Sequence, residues 1–165
     1  MALGDIQPHM NAGSSKTDGA LPFLVVSGTT ASIKAGEPVQ KAALGVAGAS
    51  AFPTNGPSTS IRIVGVAAST STETASAAGT VMVIPANPGQ TWRIAPKVLT
   101  TWNTQAKYNA LVGSRVLIDL TGGVYTILAA DNVANGCIVE YLDIAAYPGQ
   151  VAFSFSPSWD YRNVA

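Results

Sequence analysis

The chain has 165 residues, nine Lys and Arg against nine Asp and Glu, a net charge of zero, and only 11% charged residues. An ordinary soluble domain carries about a quarter, and nine scattered basic residues do not supply the clustered phosphate contacts of a nucleic-acid binder. Hydrophobic residues make up 47%, which excludes a disordered chain and, at this length, permits one domain with a real core.

Small side chains dominate: 26 Ala and 16 Val, with 16 Gly, 10 Pro and 29 Ser and Thr. A surface with few charges protects poorly against self-association, which suits a protein packed against others. The longest weakly polar run, Ala42 to Phe52, is far shorter than the roughly 20 residues of a membrane span. No basic-then-apolar leader opens the sequence and Cys137 is the lone cysteine. These features predict a chain made in a reducing cytoplasm and not exported by a signal.

In chain order, residues 1–20 combine Gly4, Pro8, Gly13 and Gly19 with no apolar period. They read as an extended N-terminal arm, ordered only by something outside the domain. Residues 21–165 read as a single β-rich domain, with a possible subdivision near 95. Leu21 to Ser27 is a strand, and Lys34 to Pro38 is a turn leading into Val39. Residues 42–60, with Gly45, Gly48, Pro53, Gly56 and Pro57, read as loop. Strands follow at Ile61 to Val66, Thr80 to Ile84 and Gln90 to Ile94. Thr104 to Val112 fits a two-turn helix capped by Thr104 and ended by Gly113. Arg115 to Leu120 and Val124 to Ala129, joined by Thr121-Gly122-Gly123, give the best hairpin signal. Cys137 to Leu142 is a further strand. Val151, Phe153 and Phe155 alternate with Ala152, Ser154 and Ser156 as a half-buried one. Pro-Gly-Gln occurs at 88–90 and 148–150, each time before a strand, which shared turn chemistry explains better than duplication.

About ten short strands with one short helix predict a mainly β fold, an antiparallel sandwich or barrel, jelly-roll-like. Ten of the twelve aromatics follow residue 90, so the second half carries the bulky core. Between residues 42 and 80 the charges are Arg62 and Glu73. That stretch is either a thin sheet with long loops or a surface covered by neighbouring subunits.

The residues offer little chemistry. His9 and Cys137 stand far apart, so neither a metal constellation nor a Ser or Cys triad can be assembled. Asp119, Asp131, Glu140 and Asp143 are the acids from which a glycosidase pair would be drawn, yet each has a plain role as turn former or solvated residue. The segment Asp131 to Gly136 has oxygen ligands at calcium-loop spacing but lacks the bidentate acid, so an Asx turn explains it better. We therefore expect no enzyme, no cofactor, no metal and no small-molecule substrate. Aromatic residues are enriched at interfaces. Trp102, Tyr108, Trp159 and Tyr161 are candidate partner contacts or sugar-stacking faces, joined by Arg162 in the polar tail and by Ile6, Pro8, His9 and Met10 in the arm.

Three stretches carry a resemblance. They are Gly36-Glu37-Pro38-Val39, the run Ile63 to Val81 with its Ala, Ser and Thr, and Tyr108 to Val116 followed by the hairpin and a strand near Pro148-Gly149-Gln150. Over roughly residues 21–156 the sequence resembles small structural proteins of tailed bacteriophages, the capsid decoration or cement proteins. The resemblance implies a homo-oligomer, a dimer or trimer, that binds the major capsid protein on the virion surface. It implies contact with neither nucleic acid nor membrane. A head–tail connector or tail protein has the same composition, and a carbohydrate-binding β-sandwich displayed on the virion is the reading from another class.

Overall fold

The computed structural model describes residues 6–10, 19–26, 32–48, 63–87, 89–121, 123–128 and 137–155. These form eleven strands: β1 (Gln7–Met10), β2 (Leu21–Val25), β3 (Pro38–Ala42), β4 (Gly45–Gly48), β5 (Ile63–Ala67), β6 (Gly79–Pro85), β7 (Thr91–Ile94), β8 (Arg115–Thr121), β9 (Val124–Leu128), β10 (Cys137–Val139) and β11 (Val151–Ser154). A 3-10 turn at Leu99–Thr101 and a helix α1 at Gln105–Asn109 lie between β7 and β8. The fold is mainly β.

Strands β2-β4-β3-β5-β6 close a barrel, and β1-β7-β11-β10-β8-β9 form a six-stranded sheet. The barrel is filled by Val25, Ile33, Val39, Val46, Val64, Ala67, Val81 and Val83, all buried. These are small or β-branched side chains of the kind that pack inside a five-stranded ring. The second core holds the bulk: Trp92, Trp102, Tyr108, Phe153 and their aliphatic neighbours, joined by Ile63, Val66 and Ile84 from the barrel wall. A bulge lets β5 serve both cores. Pairing with β3 slips between Val39↔Gly65 and Gln40↔Ile63, so Ile63 and Val66 reach the second core while Val64 stays in the barrel. Gly65 is required here, because a Cβ would collide with the carbonyl group of Ile84.

The two sheets follow one plan. The six-stranded sheet curls until Ile127 of β9 meets the chain just past β7 in a parallel bridge to Pro96. Lys97 N–H donates to Ile127 O (2.9 Å) and Ile127 N–H to Ala95 O (3.0 Å). The cyclic order β7-β9-β8-β10-β11 then matches β2-β4-β3-β5-β6. Registers match as well. Val25↔Val46 corresponds to Pro96↔Ile127, and Lys41↔Val46 to Ile118↔Ile127. Pro38↔Val66 corresponds to Arg115↔Ile138, Val66↔Ile84 to Ile138↔Ser154, and Leu21↔Val83 to Trp92↔Phe153. The circuit closes without a residue of slack. Loop bonds repeat too: Gly36 N–H donates to Ala67 O and Gly113 N–H to Val139 O, both at 2.8 Å, from glycines with φ of 87° and 81°.

Several expectations need correction. Residues 6–10 are not held from outside. Gln7 and Pro8 pair with Arg93 and Trp92, and Ile6 is buried in the second core with its N–H donated to Gly36 O. Residues 1–5 and 11–18 lie outside the described residues. The loop expected over 42–60 contains β4, whose glycines hid a strand that the buried Val46 anchors; 49–60 are not described. The strand around Phe153 is buried on both faces, Ala152 included. The helix is confined to Gln105–Asn109, although Thr104 caps it by accepting from Lys107 N–H. Strand β10 stops at Val139 rather than Leu142. Gly89 and Gly149 both have positive φ. The Pro-Gly-Gln pair precedes β7 and β11, which are not equivalent positions in the repeated plan.

Candidate functional site

The residues singled out from sequence fall into three groups. Ile6, Trp102 and Tyr108 are core residues, exposed by 2%, 3% and 0%. Pro8, His9 and Met10 hold backbone positions in β1. Trp159, Tyr161 and Arg162 lie outside the described residues, as do Asp131 and the turn to Gly136.

Trp102 and Tyr108 are brought together, ring edge to ring face at 5.5 Å and 62°, but beneath the surface. They offer no face to a sugar or a partner, which corrects their reading as interface anchors. The Thr104 cap starts a single helical turn that swings Tyr108 under the sheet. There its hydroxyl donates to Glu140 O (2.9 Å) and accepts from Ala152 N–H (2.8 Å). Those two groups sit where β10 has ended and β11 continues, so one phenol closes the gap in the ladder. Burial pushes its pKa up to about 12, so it stays protonated and able to donate. Aromatic side chains with a polar tip suit an interface and a core alike, and the sequence does not separate the two.

The polar side chains are committed to structure. Lys97 Nζ lies 2.8 Å from Asp119 Oδ2, which also accepts from Thr121 Oγ1 at 2.7 Å. The Lys97 hydrogen bond, then that of Thr121, holds the Asp119 carboxyl below the usual carboxylate range. Glu140 accepts from Ser154 Oγ, and Asp143 caps Ala145 N–H. Burial pushes up the Cys137 thiol, which keeps it from the thiolate form a nucleophile needs. Burial also raises the Tyr125 hydroxyl, with Glu37 adding to it. Among the described residues no three His, Cys, Asp or Glu side chains group to hold a metal. None of the helices is long and apolar enough to cross a membrane.

The exposed apolar side chains were not singled out from sequence. Leu21 (50%), Leu24 (51%), Leu44 (72%) and Met82 (37%) stand on the barrel formed by β2 to β6. Pro22 faces Met82 across the β2–β6 pair, and Gly45 is packed on Leu24, where a Cβ would collide with the Leu24 carbonyl. These leucines therefore lie around one side of the barrel. The signal available in sequence is that β2 carries apolar residues at both alternating positions, more than a barrel interior takes. Val98, Leu99, Val112, Val124 and Tyr141 are exposed on the other half. Comparison of the chain with family models, with curated proteins and with solved structures finds no match.

Proposed function

We propose that the chain is a virion structural protein, a capsid decoration or cement protein that binds the outer shell as a homo-oligomer and stabilises it through non-catalytic contacts. The observation that carries this reading is the set of exposed apolar residues Leu21, Leu24, Leu44 and Met82 on the first barrel. An exposed apolar patch rimmed by small polar residues is a mark of protein–protein contact. Zero net charge and 11% charged residues support a protein whose surface is covered by neighbours. The resemblance of residues 21–156 to phage cement proteins supplies the identity of those neighbours: the major capsid protein and copies of the chain itself. Neither nucleic acid, membrane nor small-molecule substrate enters this role, and the chain would be made in the host cytoplasm and reside on the capsid surface. A shell repeats each contact around its symmetry axes, so weak individual interfaces add to a large effect.

The test is the copy number of the chain in purified particles, by quantitative mass spectrometry against the major capsid protein. A ratio near one, or a simple fraction of it, is expected. A ratio of a few per cent would transfer the chain to the connector or tail, and its absence from particles would overturn the structural reading.

A further inference from the structure

The repeated plan allows the outer faces of the two halves to be compared position by position. In the second half, Arg93 of β7 and Ala152 of β11 are register partners, and both are buried, at 8% and 0% exposed. The connection before β11 covers them. Tyr147 places its ring 4.3 Å from the Arg93 guanidinium carbon, and Gln150 Oε1 accepts from Arg93 Nη1 at 2.9 Å. That connection is itself tied down, with Ile144 N–H donating to Gln105 Oε1 and Tyr147 N–H to Asp143 O.

The positions equivalent to Arg93 and Ala152 in the first half are Pro22 of β2 and Met82 of β6, again register partners. They are exposed, as are their neighbours Leu24 and Thr80. The connection before β6 does not cover them. It runs back along its own strand, with Thr72 N–H donating to Thr80 O and Thr80 N–H to Thr72 Oγ1. Even the amide that the two halves share as a gap in the ladder is capped differently. Ala152 N–H reaches the large Tyr108, whereas Met82 N–H reaches the small Ser69 Oγ. One plan thus has a face that is an internal interface in one half and is bare in the other.

We propose that this bare face, Pro22, Leu24, Thr80 and Met82 with Leu21 and Leu44 at its rim, is where a second copy of the chain docks, the two faces meeting about a two-fold axis. The inference rests on the homo-oligomer in the proposed function and names its contact. The occupant is a second copy for two reasons. None of the six residues carries a charge, so the face is complementary to itself and to no charged partner, as a contact between identical patches requires. A chain of net charge zero brings no long-range repulsion to such a meeting. Met82 adds an adaptable side chain that can fill the irregular gap between two identical surfaces.

The test uses the full chain in solution. Light scattering across a dilution series is expected to show a dimer, or an assembly built from dimers. Leu24→Glu or Met82→Glu is expected to raise the dimer dissociation constant more than about a hundredfold, because each places an unpaired charge in an apolar contact. Leu99→Glu, at an equally exposed leucine outside the face, is expected to leave it unchanged. A cysteine at Thr80→Cys should couple two copies through a short bis-maleimide, since Cys137 is buried. A wild-type monomer throughout, glutamate variants that associate like wild type, or no coupling through residue 80 would each overturn the proposal. Particle binding is scored separately: a dimer through this face that fails to decorate capsids leaves the contact standing and removes the capsid reading, and a monomer that decorates does the reverse.

Discussion

The Tyr108 hydroxyl replaces a missing stretch of strand, holding both Ala152 N–H and Glu140 C=O where β10 has already ended. Tyr108→Phe keeps the ring and its contact with Trp102 but strands a buried donor and acceptor, which costs about 1–3 kcal/mol. Urea denaturation is expected to show that loss without a change in the far-ultraviolet spectrum. A loss below a few tenths of a kcal/mol would show that the two backbone groups find other partners. Asp119 is the residue whose protonation should matter to folding. Its folded pKa lies below the unfolded value of about 3.9. The stability it contributes is therefore complete above the unfolded value and is lost as pH falls through the folded one. Asp119→Asn should flatten the fall in unfolding midpoint between about pH 4 and pH 2, while a curve as steep as wild type would assign acid sensitivity to other carboxylates.

The elements most legible in the sequence were those whose boundaries depend on a single turn residue. The hairpin of β8 and β9, with Gly123 at φ 80°, and the Thr104 cap of α1 are local chemistry and fall where the sequence places them. β4 was hidden because Gly45 and Gly48 are turn formers by composition, yet the first sits at φ 140° where the chain passes close to Leu24. The repeated plan was hidden for another reason. A barrel interior asks only for small or branched side chains, so Val39 and Val116, or Val81 and Val151, can recur without a recognisable word, and α1 separates the halves with unequal spacing. What does recur is the pair of glycines before β3 and β8, each donating its N–H to the strand that pairs next. Both have positive φ, which costs an L-residue about 1–2 kcal/mol. Gly36→Ala and Gly113→Ala are expected to destabilise by similar amounts in that range, measured by chemical denaturation. A loss at one position alone would show that the repeat is geometric and not energetic. The apolar face on the first barrel was illegible because exposure depends on which connection folds over which strand, and no local pattern records that.

At the scale of the whole molecule, β1 is what joins the two halves. Ile6 donates its N–H to Gly36 O of the first half at 3.2 Å, buries its side chain in the core that Ile63, Val66 and Ile84 share with the second, and leads into pairing with β7. A segment that reads in sequence as a free arm is thus part of the fold, at least over residues 6–10, and its removal should be felt before any shell is met. Ile6→Ala should cost about 2–5 kcal/mol, as deletion of a buried aliphatic side chain does. Cooperativity is the sharper readout. All three tryptophans follow residue 90, so their fluorescence reports the second half, while far-ultraviolet circular dichroism reports strands of both. The shared core makes the intact chain unfold as one unit, and the two signals should change together in denaturant. Deleting residues 1–10 removes the strand that touches both halves, and the two transitions are expected to separate, with the whole curve shifted to lower denaturant. Coincident and unshifted transitions in the truncated chain would mean that β1 is an appendage after all. Its contribution would then have to be sought on the particle, in the attachment of the truncated protein to capsids.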